Sequence, residues 1–464
     1  MRAATPWGER RQVSSGRSAG RTREDGSSPR RRLWPPPEGA GLASAGLGLI
    51  FLAHLAYGAL RIEASLIAVG AAAILLLACV AVPSIRRDLL RVRGLAIPAV
   101  LFGLILLTGA LSLTPYGPAG AHPVWAYVGQ AHGSATIDRS ATTLELIKLL
   151  GLGCIFLVGA ATGAADGRAK TTVNLLIALS AIFGLWAFFN FATGLQYQTQ
   201  RGRLEGTLMS PNTAGTFFAV MVIVTLGPLL RDLRSVRAGQ ALQAATGYWA
   251  ALIILVGCLL ATASRGAALG TAAGVLGLVI ILLFAGRVTW SRVSLIMLAA
   301  VVAAMASLYF VGERLLERFT SFDQDASSRA EMFAMHWRAF LAAPIGGYGL
   351  GTFDTIHRIL LDTTNFASMW TVRATHNVYI QWLEEAGLIG ALPMFGAIAS
   401  VVIISLWRGL RRARMTYLLF ALIAANLAVL VHGVTDFALQ TPSVALMWSY
   451  LLGLQFSMSQ GSQR

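Results

Sequence analysis

Four short stretches of the chain gather side chains that hold charge or move protons. QTQRGRLEGTLMSPNTAG (198–215) carries Arg201 and Arg203 ahead of Pro211-Asn212. TASRGAALG (262–270) places Arg265 between two apolar runs. SSRAEMFAMHWRAFLAAPIGGYGLGTF (327–353) carries Arg329 and then a glycine-rich segment. RATHNVYIQWLEEAGLIG (373–390) carries His376, Asn377 and Glu385. A guanidinium binds anionic oxygens at two points and stays charged at any working pH. An imidazole exchanges its proton near neutrality, which suits general acid–base work. Arg265 is the most telling of these, because an arginine pinned between two hydrophobic runs is costly unless it reaches a partner. Glu385 falls nine residues after His376. On one continuous helix that spacing puts the two on opposite faces, so they make no dyad.

Each candidate sits at the boundary of an expected helix. In the third stretch Asp325 or Ser327 can cap a helix with Arg329 in its first turn. Apolar residues recur at Met332, Phe333, Met335, Trp337 and Phe340, and Pro344 with Gly346-Gly347 ends it. The glycines that follow fit neither the dinucleotide nor the nucleoside-triphosphate phosphate-loop spacing. A tight turn is the better reading of them. His376-Asn377 opens the helical pattern of the fourth stretch.

The rest of the sequence says where such a site must stand. Hydrophobic residues make up 56% of the 464 and charged residues 12%, about half the charged fraction of a water-soluble domain. Such a chain needs lipid around it. Runs of about twenty apolar residues cross ~30 Å of hydrocarbon. Twelve are legible, at roughly 41–60, 64–83, 95–114, 144–162, 172–192, 211–230, 247–263, 267–285, 291–311, 387–407, 416–433 and 441–458. The expected fold is an all-α integral membrane protein with about 12 transmembrane helices and a large extracytoplasmic loop that contains short helices. Its parts are a disordered basic tail at 1–38, transmembrane helices 1–9 over 39–311, the large loop at 312–386, and transmembrane helices 10–12 over 387–464.

Orientation follows from the cations. With both termini in the cytoplasm, 25 of the 37 Lys and Arg fall in inside segments and 11 outside, with Lys148 near the start of a span. Nine of those 11 lie within 193–386. The formal net charge of +16 is therefore read as an orienting bias and not as a nucleic-acid surface. Cys79, Cys154 and Cys258 each sit in an apolar run, far apart and without metal-ligand spacing, as small hydrophobes do. The tail is longer than a signal-peptide basic region and no cleavage pattern ends the first run, so it is expected to stay attached.

HNVYIQWLEEAGLIG resembles the H-N-x-Y-x-x-x-L-x-E-x-G-x-x-G signature of the O-antigen ligase/polymerase superfamily. SSRAEMF with the following P-x-x-G-x-G-x-G-x-F resembles the segment that precedes that signature. SRGA, and R-x-x-G-T with PN, resemble two upstream landmarks. The pieces run in family order over about 203–390. The resemblance implies a metal-independent, cofactor-free glycosyltransferase in a bacterial inner membrane. Its donor would be a glycan on a polyprenyl pyrophosphate, and its acceptor a glycan or lipid hydroxyl on the extracytoplasmic face. It implies His376 as the catalytic base and Arg265 and Arg329 as pyrophosphate-binding arginines. Arg203 is a looser third, and Asn377 and Glu385 are supporting residues.

The plain readings stand beside these. An extracytoplasmic arginine is by default solvated or facing headgroups, and that reading is kept for Arg61, Arg139, Arg314, Arg318 and Arg358. His54, His122, His132, His336, His357 and His432 are read as packed or solvated, and Lys148 as a snorkelling residue. A flippase or transporter would carry ionisable residues within its spans and paired interrupted helices. This sequence gathers its charge on one side instead. A non-catalytic assembly subunit would tolerate loss of His376. Ligase and polymerase share every motif named above.

Overall fold

The computed structural model describes residues 39–461, apart from 119, 131, 197–201, 235–239 and 289–321; within its helices the side chains of 40, 241 and 322–328 are also left aside. All regular structure among the described residues is helical. The longer helices are α1 (Ala40–Leu55), α2 (Ile62–Ala81), α3 (Pro83–Leu90), α4 (Ala96–Ser112), α5 (Arg139–Gly163), α6 (Asp166–Ala192) and α7 (Pro211–Leu233). They continue with α8 (Thr246–Ala261), α9 (Arg265–Phe284), α10 (Phe322–Ala342), α11 (Phe353–Leu360), α12 (Val378–Arg411), α13 (Thr416–His432) and α14 (Pro442–Met458). Six of them, α2, α5, α6, α7, α9 and α12, are long and apolar enough to cross a membrane, and α1, α4, α8 and α13 are shorter apolar helices. The chain is thus a multi-pass membrane protein. The expected ninth run at 291–311 lies outside the described residues, as do the tail, Arg201, Arg314 and Arg318.

Three boundaries differ from expectation. The first run breaks early: α1 stops at Leu55 and a 3-10 turn at Tyr57–Ala59 follows, with left-handed Tyr57, Gly58 and Ala59. Helix α10 begins at Phe322, so Asp325 and Ser327 lie inside it and Arg329 stands two turns in. The preference of Asp and Ser for caps is local, and a helix can run through them. The tenth run is longer than read, and α12 is broken at Gly387 (φ 58°, ψ −173°), a conformation open only to glycine. The break frees backbone groups, and the segment after α10 satisfies them. The amides of Leu388 and Ile389 donate to the carbonyls of Pro344 (2.8 Å) and Ile345 (3.2 Å), while those of Tyr348 and Gly349 donate to Glu384 (3.1 Å) and Glu385 (2.8 Å). The glycine-rich loop is therefore a docked turn, its amides consumed by protein, as its spacing suggested.

Small residues let the helices approach closely. Gly159 and Gly163 of α5 lie against the carbonyls of Tyr450 and Leu454 on α14, where any Cβ would overlap them. On α9, Gly266, Gly270 and Gly274 form a stripe at four-residue spacing that faces α13. A Cβ at Gly270 would stand 2.8 Å from the Ala428 carbonyl oxygen. We expect Gly270→Ile to push α9 off α13 at a cost of about 1–3 kcal/mol, read as a lower melting temperature in detergent. A wild-type melt would show that the stripe is not a tight contact.

The cations separate along the bundle. Arg287 donates from Nη2 to the Arg412 carbonyl (3.1 Å), Arg412 pairs with Asp166, and Arg168 pairs with Asp88 (2.7 Å). All of these stand at the helix ends opposite to those that carry Arg203, Arg265 and His376. Lys148 pairs with Glu145 at 3.1 Å, a structural role as expected. The three cysteines are free.

Candidate active site

Three helices start at one place, each with a side-chain cap. Ser210 accepts from the Thr213 amide (3.4 Å) and Pro211 takes the first position of α7. Ser264 accepts from the Ala267 amide (3.3 Å) at the head of α9. Asn377 caps α12, its Oδ1 accepting from the amides of Tyr379 (3.0 Å) and Ile380 (3.1 Å). The C-terminus of α13 meets them. Thr216 of α7 and His432 at the end of α13 share a 2.7 Å hydrogen bond, Ser264 Oγ lies 3.5 Å from His432 Nε2, and the Val378 amide donates to the Gly433 carbonyl (2.9 Å). Helix N-termini carry partial positive charge and unpaired amides, so this end of the bundle favours an anion.

Arg203 is buried, with Nε donating to the Thr262 carbonyl (2.8 Å) and Nη2 to Asn212 Oδ1 (2.9 Å). It thereby ties its own loop to the turn before Arg265 and to the first turn of α7. Arg265 is the first residue of α9, half-buried, and its neighbour Gly266 lies against the His432 ring with no room for a Cβ. Arg329 is half-buried and interacts electrostatically with His376, His432 and Asp436. His376 is held in the left-handed region (φ 54°), rare for a residue with a Cβ. Its ring packs edge-on against Phe437, with centroids 4.6 Å apart, and its Nδ1 is buried without a hydrogen-bond partner. Burial first, and then the Arg329 charge, push His376 down to about 4. The imidazole is therefore neutral at physiological pH, the form that accepts a proton.

The structure thus gathers Arg203, Arg265, Arg329, His376 and Asn377 from four separate segments. Asn377 acts on the backbone, and its cap sets the turn that presents His376. Glu385 stands apart from them. Its carboxylate accepts from the Gly351 amide (2.6 Å) and from Gln381 Nε2 (3.0 Å), on the glycine-loop side of α12. It lines a small, partly open cleft with Thr108, Ser112 and Gly347. Its support is to the loop and not to the histidine.

Sequence reasoning passed over two neighbours. His432, expected to be packed or solvated, is packed, but against Thr216 and the start of α9 within the site. Asp436 is fully buried in the short turn between α13 and α14; neither carboxylate oxygen completes a regular hydrogen bond, though Asn212 and the amides of Phe437 and Ala438 are the donors nearest it. Burial pushes its carboxyl up to about 7, against the opposing pull of those donors and Arg329. A lone acid in a seven-residue break between two apolar runs was the signal that could have found it. His336 and His357, also read as packed, are fully buried and joined to Glu384.

Residues 250–395 match the family model described as O-Antigen ligase. The matched stretch contains Arg265, Arg329, His376, Asn377 and Glu385; Arg203 precedes it. No curated protein matches the chain. Over that stretch the chain is similar to the O-antigen ligase family, the one its motifs resemble.

Proposed function

We propose that the chain transfers a glycan from a polyprenyl pyrophosphate to an acceptor hydroxyl at the membrane boundary, as an O-antigen ligase does. One observation carries this reading: three capped helix N-termini meet at the end of the bundle that carries Arg203, Arg265 and Arg329, with a neutral, half-buried histidine under the Arg329 charge. The family whose model the stretch matches consists of ligase- and polymerase-type glycosyltransferases, which supports this reading.

The chemistry follows from the charges. The acceptor oxygen attacks the anomeric carbon, its proton passes to the His376 imidazole, and the bond from that carbon to the pyrophosphate oxygen breaks. Negative charge grows on the departing pyrophosphate, where Arg265, Arg329 and the helix N-termini already stand, so little reorganisation is needed as it leaves. Arg203 holds the framework under Arg265. Asp436 offsets the Arg329 charge before the donor arrives. The arginines supply the charge that a metal supplies in other glycan transferases, and the site lies on the extracytoplasmic side of an inner membrane with both termini cytoplasmic.

Glycan analysis of a strain lacking the chain tests this. Full-length lipid-linked chains that never reach their acceptor mark a ligase, whereas accumulation of single repeat units marks a polymerase of the same superfamily. If that strain, complemented with His376→Ala, regains normal glycan in full, both readings fail and a transport or assembly role is favoured.

A further inference from the structure

His336, His357 and Glu384 are each fully buried, and none belongs to the site described above. They form one chain of hydrogen bonds. Glu384 Oε1 lies 2.8 Å from His336 Nδ1, His336 Nε2 lies 3.1 Å from His357 Nδ1, and His357 Nε2 lies 2.9 Å from the Met369 carbonyl oxygen. The rings of His336 and His357 stack at 5.3 Å, and Phe353 packs against both.

The proton count of this chain is set by geometry. A carbonyl oxygen only accepts, so His357 carries its hydrogen on Nε2. Its Nδ1 then accepts, and His336 Nε2 donates to it. His336 Nδ1 faces the carboxyl, and a hydrogen must stand between them, on one atom or the other. With one proton fewer, two lone pairs would face each other somewhere along the chain. Burial disfavours charge on the His336 ring, and the shared hydrogen holds the ring and the carboxyl together on whichever atom it stands.

The chain also has a mechanical consequence. His336 follows Arg329 by seven residues on α10, so the two share a face two turns apart. Glu384 follows Asn377, the cap that presents His376, by seven residues on α12. His357 and Met369 belong to the segment that leads from α10 to His376. One polar chain therefore joins the helix that carries Arg329, the helix that opens at His376, and the segment between them.

We propose that Glu384 is a positioning residue that sets Arg329 against His376 through its hydrogen-bonded link to His336 and His357. The proposal rests on the transferase reading for its functional consequence, though not for its structure.

Its test uses the full chain in membranes, with Glu384→Gln, Glu384→Met and His376→Ala. Transfer is measured from a polyprenyl-pyrophosphate-linked oligosaccharide, and hydrogen exchange is followed over 329–342 and 361–376. Glutamine keeps the link to His336 through its amide, and methionine fills the space without making it. We expect Gln to stay within about twofold of wild type on both measures and Met to lose about tenfold in transfer, with faster exchange in both segments. Wild-type exchange in the Met protein, or a Gln protein as damaged as Met, overturns the proposal. If Met fails to insert, His357→Phe keeps the stack on Phe353 and removes the link, and wild-type exchange there overturns it equally. Full activity of His376→Ala would instead sink the transferase reading, while exchange still decides the tie.

Discussion

Replacing His376 with alanine is expected to lower glycan transfer by about 10²–10⁴-fold while the protein still inserts and folds. The imidazole is a neutral base at the meeting point of α7, α9, α12 and α13, half-buried and flanked by Phe437 and Arg329, with its Nδ1 free where the His432 Nδ1 is bonded to Thr216. Its loss leaves the caps of all three helices in place, because Ser210, Ser264 and Asn377 make them. A left-handed backbone at position 376 costs alanine about 1 kcal/mol, too little to unfold a bundle of this size. The measurement is transfer in membranes with the protein level matched by immunoblot. Full activity at equal level would refute His376 as the base.

The second large effect concerns Arg329 and has two readouts. Arg329→Lys keeps the charge but loses the planar two-point contact, and we expect transfer to fall by about a hundredfold. Wild-type kinetics would remove Arg329 from the site. Arg329→Gln removes the charge as well, and that changes the pH dependence of what activity remains. In the native protein burial and the Arg329 charge both depress His376, which sits at about 4. The base is active when neutral, so kcat/KM should stay level as pH falls and drop only on passing through about 4, well below the ordinary 6.5. Without the Arg329 charge one of the two depressing causes is gone, and the acid limb should move up. Donor binding acts in the same direction, since an arriving pyrophosphate offsets the arginines. The limb of kcat is therefore expected above that of kcat/KM. A native limb near 6.5 in kcat/KM, or a limb that does not move in Arg329→Gln, would contradict this electrostatic account.

Asn377 has a smaller and different signature. It caps α12 through two amides and is itself buried, so Asn377→Ala should cost about 1 kcal/mol in stability. It should also slacken the turn at His376, lowering kcat with little change in the pH limb. A shifted limb would mean that Asn377 acts on the histidine directly.

Much of this was legible in the residues. Membrane class follows from having too few charged groups to cover the surface, and helix type follows from the backbone's need to satisfy its own hydrogen bonds in lipid. The helix starts at the site were readable as the edges of apolar runs, at Pro211-Asn212, Arg265 and His376-Asn377, and the structure supplies their caps in Ser210, Ser264 and Asn377. The glycine-rich loop was legible as a turn because its spacing matched no phosphate-binding pattern. The start of α10 was misread for the opposite reason, since a cap-forming residue within a helix looks the same in sequence as one at its end. The separation of cations to opposite helix ends was also visible, because each reversal of the chain changes the end on which a loop stands.

What required the tertiary structure was everything that depends on contact between distant segments. The sequence by itself determined which residue types stand at each helix end, and so which side of the bundle carries arginine and histidine. It could not show that α9 lies on α13 through Gly266 and Gly270, because a small-residue stripe does not name its partner helix. That contact brings His432 beside Arg265's helix and Asp436 within reach of Arg329. It could not show that Glu385 serves the Gly351 loop while Glu384, next to it, joins His336 and His357. Adjacent helical positions point about 100° apart, and only the packed neighbours decide what each one meets.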